Sequence, residues 1–215
     1  MNSWVECLID LNPGAPRDVL WKSIDLPPYL SLSYEPRQSQ FIAGRICAAR
    51  GIEKLTGHLD IPAWNDDESP CWPEGIVGSI AHTDNHAIAV VGRSHAFTSL
   101  GVDIESLAVD EAVIRSIESE VLVGGEMNLF SSMDQNTHKQ NMLSVFCIKE
   151  AVFKCLYPVV QELFDFDAVE VVDPDLMYGR NQIRIRKNFS PTLNLEYLSC
   201  RVRLQNNLVY VVVNI

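Results

Sequence analysis

The sequence predicts an α+β protein built from two similar α/β lobes. Two observations predict this class. One helical segment precedes three strand-like segments in the first half, and helical segments precede several further strands in the second half. A boundary near residues 105–112 would separate the lobes, which gives an N-terminal lobe at 1–107 and a C-terminal lobe at 108–215.

The N-terminal half is interpreted from alternation and from residues that begin or end helices. Residues 3–10 alternate well enough for a strand. Residues 36–50 predict a helix that has Pro36 near its start and Gly51 just after its end. Residues 57–75 are rich in Pro, Asp and Trp and predict a long loop. Strands are then expected at 76–83, 86–92 and 97–104.

The C-terminal half predicts two helices followed by strands. The helices are expected at 109–120 and 138–157, and Pro158 is expected to end the second because proline cannot continue the hydrogen-bond ladder. The strands are expected at 168–173, 181–187, 193–204 and 208–214.

Composition excludes several classes of protein. The chain has 215 residues, a net charge of −11, 47% hydrophobic and 21% charged residues, which is typical of a globular protein rather than a disordered one. The acidity argues against nucleic acid or an anionic membrane surface as partner. No apolar run approaches the roughly 20 residues of a membrane helix, and no signal peptide is seen. The six cysteines form no CxxC motif, so free thiols in a cytoplasmic protein are expected.

Two acidic residues share one face of a predicted strand. In Gly101–Glu105 (GVDIE), side chains alternate, so Asp103 and Glu105 point the same way while Val102 and Ile104 point to the core. Two carboxylates on one face repel unless a cation lies between them, and Mg²⁺ prefers oxygen ligands. The alternative is a solvated strand end with two surface acids.

The helix at 138–157 carries a second set of charged residues. Lys149 falls at the centre of the apolar stripe, where a charge is costly unless it is paired, reaches a ligand or snorkels to the surface. Glu150 and Lys154 lie about 40° apart beside that stripe, and they could also be an ordinary surface pair.

Three further cations could bind an anion. Arg37 and Arg45 lie on the helix at 36–50, and His82 ends a predicted strand. Arginines grip phosphate through paired hydrogen bonds, although solvated helix charges and a structural histidine would explain the same pattern. Together with the carboxylates, this inventory is typical of Mg²⁺-dependent handling of a polyphosphate ligand.

The residues now resemble a known family, the 4′-phosphopantetheinyl transferases, in the Sfp-like class of the enterobactin synthase component type. Four blocks occur in the family's order across residues 37–158: RQSQFIAGRICAAR, PCWPEGIVGSIAHT, GVDIE and FCIKEAVFKCLYP. The resemblance implies two α/β lobes related by pseudo-twofold symmetry, with coenzyme A in the cleft between them. It also implies transfer of the phosphopantetheine arm to a serine of an apo acyl, peptidyl or aryl carrier protein, with release of 3′,5′-ADP, by a monomer.

The resemblance also implies roles for single residues. Asp103, Glu105 and Glu150 look like the Mg²⁺ ligands, and Glu150 resembles the general base. Lys149 and Lys154 match lysines that contact the phosphates of coenzyme A, and Lys149 is counted with Glu150 as catalytic. The remaining family matches are His82 at the phosphates and Arg37 and Arg45 near the 3′-phosphate and adenine.

Of the departures from the family pattern, one concerns phosphate binding, and one further feature has two interpretations. Many relatives have a basic residue shortly before the PxWP block, whereas this chain has Asp66-Asp67-Glu68. The basic stretch Arg180–Arg203, in which Arg184 and Arg186 were expected on one strand face, could receive an acidic carrier or be a solvated face. Two other functions remain open, namely another Mg²⁺-dependent nucleotide phosphotransferase or phosphohydrolase and a non-catalytic binder of coenzyme A or a carrier.

Overall fold

The chain forms mixed helix and sheet structure in two compact units, so the predicted α+β class is confirmed. The computed structural model describes residues 4–12, 18–130, 133–172, 179–189, 191 and 193–215. The units are Met1–Leu100 and Gly101–Ile215. Each unit has its own sheet and its own long helix.

The first unit packs a helix on an antiparallel sheet with the strand order β1-β5-β4. Small residues such as Ala43, Ala87 and Ala89 form the contact and let helix and sheet approach closely. A two-strand hairpin interrupts the loop predicted at 57–75. The elements are β1 (Trp4–Asp10), α1 (Glu35–Thr56), β2 (Ala63–Trp64), β3 (Pro70–Cys71), β4 (Ile76–His82) and β5 (His86–Arg93).

Helix α1 runs past the glycine that was expected to end it. Gly51 lies inside the helix and faces β5, where a Cβ atom would stand 2.7 Å from Val91 Cγ2. Gly51 therefore serves close packing, and the prediction that it follows the helix was wrong. The left-handed residue that ends α1 is Gly57, with φ of 84°.

The second unit packs a long helix on a five-stranded sheet with the order β6-β10-β9-β8-β7. Its apolar core lies between that helix and the sheet and includes Ile148, Val152, Val209 and Val211. The elements are β6 (Leu100–Ser106), α2 (Glu111–Val121), α3 (Gln135–Val160), β7 (Val169–Val171), β8 (Gly179–Ile185), β9 (Tyr197–Gln205) and β10 (Leu208–Asn214).

Two further differences from the sequence predictions concern α3 and β6. Helix α3 includes Pro158 and ends at Val160, because a proline two residues from the end disturbs only the last turn. The GVDIE strand β6 is paired with β10 and therefore belongs to the second sheet, whereas the sequence assigned it to an N-terminal lobe at 1–107. The first unit accordingly ends at Leu100.

Three further sequence predictions can be compared with the structure. No described helix has the length and apolar character needed to cross a membrane. Within the described residues, no disulfide bond joins any of the cysteines. The strand predicted at 168–173 is shorter in the structure, and residue 173 lies outside the described residues.

Candidate active site

Gly101 brings β6 against α3 and thereby sets the position of the acidic strand. A Cβ atom at Gly101 would stand 2.0 Å from the Ala151 carbonyl oxygen and 2.7 Å from the Cys155 backbone nitrogen. No side chain fits at those distances. The glycine that opens the GVDIE motif thus allows backbone contact with α3, the helix that carries Glu150 and Lys154.

Asp103 is a buried carboxylate with one unsatisfied oxygen. The residue is 5% exposed, and its Oδ1 accepts a hydrogen bond from Lys154 Nζ at 2.5 Å. Its Oδ2 is buried without a hydrogen-bond partner. Burial raises the pKa of Asp103, and Lys154 opposes that shift. A buried carboxylate oxygen that lacks a partner is an acceptor available to a cation.

Glu105 and Glu150 stand close enough to Asp103 for the carboxylates to affect one another. Burial raises the pKa of Glu105 to about 7, and the carboxylates of Asp103 and Glu150 add to the rise. Burial also raises the pKa of Glu150, with a further contribution from Asp103. Both glutamates are half-buried. The alternative, a solvated strand end with two surface acids, therefore does not describe Asp103 and Glu105.

Lys154 is the cation inside this acidic group. Burial alone would lower its pKa, but Asp103 and Glu150 outweigh that effect and raise it. The ammonium therefore stays charged. Lys154 thus lies in a charged cluster with Asp103 and Glu150, whereas the sequence offered only a surface pair with Glu150 or, by resemblance, a contact to the phosphates of coenzyme A.

The three carboxylates are neighbours without forming a preformed metal cage. Within the described part of the chain, no group of three or more His, Cys, Asp or Glu side chains is arranged to hold a metal ion. Mg²⁺ does not require such a cage, because it keeps several waters and uses one or two carboxylates together with substrate phosphates. The unsatisfied Asp103 Oδ2 fits that kind of binding, so the metal assignment remains a proposal.

Lys149 lies elsewhere, and its placement corrects the sequence prediction. Its Nζ donates to the Val121 carbonyl at 2.7 Å, to Glu126 Oε2 at 2.7 Å and to the Phe166 carbonyl at 3.2 Å. These bonds use all three protons of the ammonium. The residue is 1% exposed, so it does not snorkel either. Lys149 is a buried partner of Glu126 and has no donor left for a phosphate.

A pocket of about 260 Å³ adjoins Glu150 in the second unit. Glu150 contributes a carboxylate to its lining, and three phenylalanines make much of the rest apolar. The lining residues are Lys149, Glu150, Phe153, Phe164, Asp165, Phe166 and Val169.

In the first unit, Arg37 and His82 meet. Arg37 Nη1 lies 2.8 Å from His82 Nε2. A guanidinium can only donate, so His82 Nε2 is the acceptor in this contact. Arg37 is exposed and His82 half-buried. Two of the residues that the resemblance assigned to coenzyme A therefore lie side by side.

Arg45 is a buried guanidinium whose hydrogen bonds are incomplete. It is 4% exposed, and its Nε has no hydrogen-bond partner. Its guanidinium carbon lies 4.5 Å from the centre of the Phe41 ring, a cation–π contact. Burial lowers the pKa of Arg45 to about 10, and Tyr29 opposes the shift. Such a group is expected to bind an anion.

The basic stretch near the C-terminus is partly used within the protein. Arg184 pairs with Glu170 at 3.2 Å and lies over the Tyr197 ring. Arg186 is exposed and lies beyond the end of β8, so the two arginines do not share a regular strand face as was expected.

Sequence reasoning missed two residues of these arrangements. Phe41 precedes Arg45 by one helical turn, a spacing that could have indicated their contact. Glu126 belongs to a short 3-10 segment, Gly124–Phe130, which no periodic pattern predicted.

Comparison with protein-family models gives two matches. Residues 28–92 match the 4′-phosphopantetheinyl transferase N-terminal domain, and residues 99–207 match the 4′-phosphopantetheinyl transferase superfamily. The second match covers just over half of the chain and includes Asp103, Glu105, Glu150 and Lys154.

Curated relatives carry related names. The chain is 32% identical over 146 residues to the 4′-phosphopantetheinyl transferase PptT of Mycobacterium tuberculosis. The matched region covers 67% of this chain and 62% of that protein. It is 29% identical to Npt of Nocardia iowensis, over 66% of this chain and 62% of that protein. It is 34% identical to enterobactin synthase component D of Escherichia coli, over 42% and 41% respectively. The chain thus spans less than two thirds of these relatives.

Proposed function

Because the chain belongs to the 4′-phosphopantetheinyl transferase superfamily, we propose that it moves the 4′-phosphopantetheine arm of coenzyme A onto a serine of an apo carrier protein and releases 3′,5′-ADP. One observation carries the proposal for the site. A buried carboxylate with an unsatisfied oxygen, Asp103, lies among Glu105, Glu150 and Lys154 on two elements joined by backbone contact.

Glu150 is proposed as the general base. In the reaction the serine oxygen forms a bond to the β-phosphorus of coenzyme A, the bond between that phosphorus and the bridging oxygen breaks, and 3′,5′-ADP leaves. The serine proton passes to the Glu150 carboxylate, directly or through water. A raised pKa suits this role, because a base is most effective when its pKa lies near the working pH.

Asp103, Glu105 and Glu150 are proposed to hold Mg²⁺. The bound cation would offset the negative charge that develops on the pyrophosphate oxygens. Lys154 keeps its positive charge beside these acids and is proposed to contact the phosphate. Phosphoryl transfer depends mainly on such positioning and charge neutralisation.

The cations of the first unit are proposed to bind coenzyme A. Arg37 and His82 are proposed to bind one phosphate together. Arg45 lies about 12 Å further along α1 than Arg37 and is proposed to bind at a second position. Arg45 is the stronger candidate of the two, because its buried Nε has no partner within the protein. The acidic residues at 66–68 carry negative charge, so they cannot supply a positive charge for the phosphate.

Several further features stay predictions within this proposal. They are a monomeric state, a cytoplasmic location and a pseudo-twofold relationship of the two units. The carrier is proposed to belong to siderophore, polyketide, peptide or fatty acid synthesis, and enterobactin synthase component D among the relatives favours a siderophore pathway.

The proposal is tested by weighing carriers. The chain is incubated with coenzyme A, Mg²⁺ and a panel of apo acyl, peptidyl and aryl carrier domains, and each carrier is measured by intact mass spectrometry. A gain of one phosphopantetheine on one serine is expected. Nucleotide hydrolysis that needs no carrier would instead indicate a phosphohydrolase, and binding without either reaction would indicate a non-catalytic relative.

A further inference from the structure

The second unit contains a buried ion pair that the proposed reaction does not use. Lys149 Nζ lies 2.7 Å from Glu126 Oε2, and both side chains have 0% exposure. Removing two charges from water is costly, and the cost is recovered only when the charges are close and their other hydrogen bonds are made. Such a pair therefore needs a structural or functional reason.

The hydrogen bonds of the pair connect four segments to α3. On the cation side, Lys149 binds the Val121 carbonyl at the end of α2 and the Phe166 carbonyl before β7. On the anion side, Glu126 Oε2 accepts from the Val123 N–H at 2.9 Å, and Oε1 accepts from the Val171 N–H at 2.6 Å. Every proton of the ammonium and both carboxylate oxygens are used.

The connected segments form the surroundings of Glu150. Lys149 and Glu150 are consecutive on α3, so any rotation or shift of the helix at one residue moves the other. Phe166 and Val169 line the pocket that Glu150 also lines. The ion pair thus fixes the helix that carries Glu150 and the wall opposite it.

We propose that Glu126 and Lys149 are positioning residues for Glu150. The pair contacts neither coenzyme A nor the carrier, and it holds Glu150 and the Phe166–Val171 wall in one geometry. The expected effect on kcat rests on the proposed function. The structural consequence, ordering of the segments around α3, does not depend on that function.

Three variants separate positioning from phosphate binding. Lys149→Met leaves Glu126 buried without its counter-charge, so its melting temperature should fall most. Glu126→Gln with Lys149→Met removes both charges and should recover much of that loss. In the double variant kcat should stay at least tenfold below wild type, while the KM for coenzyme A stays within about twofold. Matched control substitutions at the exposed pair, Glu111→Gln with Arg115→Met, should change neither quantity.

Each kinetic outcome decides the proposal. A wild-type kcat in the double variant would show that the pair only stabilises the fold. A tenfold higher KM with unchanged kcat would make Lys149 a ligand of coenzyme A.

Hydrogen exchange supplies a result that does not depend on activity. The Val123 amide should exchange faster in the double variant, because the substituted amide offers an N–H where Oε2 accepted. The Val171 amide and the amides of residues 166–169 should also lose protection. Unchanged exchange at these positions overturns the proposal whether or not the protein is a transferase. A wild-type protein that modifies no carrier rejects the proposed function, and the exchange data then decide on the ion pair alone.

Discussion

The Lys154 ammonium lies 2.5 Å from Asp103 Oδ1, so a protein cation already neutralises the most buried carboxylate of the candidate site. A bound metal ion could neutralise this carboxylate together with Lys154 or in its place. Asp103 presents its other oxygen, Oδ2, without a partner. This relationship makes the response of the site to Mg²⁺ depend on Lys154.

Lys154→Met should therefore destabilise the metal-free protein and strengthen its response to Mg²⁺. Loss of one partner of a buried pair costs about 3–5 kcal/mol, and we expect the lower part of that range because Lys154 is 29% exposed. Added Mg²⁺ should raise the melting temperature more in the variant than in wild type, as measured by calorimetry. Lys187→Met, at an exposed pair with Glu162, is the control and should show the wild-type response. Equal Mg²⁺ responses in Lys154→Met and wild type would contradict the shared-site interpretation.

The acidic group should make stability depend on pH. The pKa of Glu105 rises from 4.5 to about 7 on folding, so the folded state binds the proton more tightly than the unfolded state between these values. The metal-free protein should therefore lose stability as the pH rises through that window, since the unfolded chain binds fewer protons there. Asp103 and Glu150 shift in the same direction.

Mg²⁺ should reverse this loss. The rise in melting temperature caused by Mg²⁺ should be small near about pH 5.5, where protons compete for the carboxylates, and larger near about pH 8. Thermal scans with and without Mg²⁺ at both pH values measure the difference. An equal Mg²⁺ effect at the two pH values would mean that these carboxylates do not hold the metal.

Arg45→Met should preserve or raise stability, whereas it should raise the KM for coenzyme A. The substitution removes a buried cation whose Nε lacks a partner, so the melting temperature should stay equal or rise. The KM for coenzyme A should increase at least about tenfold, because a charge-assisted contact to phosphate is lost. Arg50→Met on the same helix is the opposite control. Arg50 binds Asp18 through two hydrogen bonds, so this variant should lose stability and keep its KM.

Glu150→Gln should remove the base and leave the fold intact. A positioned base contributes about 10²–10⁴-fold, so the rate of carrier modification should fall by that factor. The circular dichroism spectrum should match wild type, because Glu150 is half-buried and its removal takes one charge out of an acidic group. A turnover close to wild type at saturating Mg²⁺ would assign the base to another residue.

Gly101→Ala should separate β6 from α3. The added Cβ would collide with the Ala151 carbonyl, which is backbone and has no rotamer to change. We expect a loss of at least about 2–3 kcal/mol in the free energy of unfolding, typical of overpacking against a rigid contact. Chemical denaturation measures it. Gly57→Ala, at a position with open space but a positive φ, gives the scale of a purely conformational cost.

Much of the candidate site was predictable because its residues occupy regular elements. Alternation along β6 placed Asp103 beside Glu105, and helical spacing placed Glu150 beside Lys154. The sequence could also show that a charge at Lys149 was abnormal. It could not show the partner, because Glu126 lies in a short 3-10 segment and meets Lys149 only after the chain has folded.

The fold errors have a similar origin. Glycine commonly follows the end of a helix, which is why Gly51 was expected there. Only the position of Val91 on another element shows that Gly51 serves close packing instead. The GVDIE strand lies near the middle of the chain, yet it pairs with the last strand, β10. Strand pairing over that distance in sequence leaves no local pattern.

The most direct test of the proposed transfer compares the amounts of its two products. Wild-type protein is incubated with coenzyme A, Mg²⁺ and an apo carrier domain, and the 3′,5′-ADP released is compared with the phosphopantetheine gained by the carrier. We expect one 3′,5′-ADP for each modified serine and no nucleotide release when the carrier is left out. Nucleotide release without a matching gain in carrier mass would contradict it.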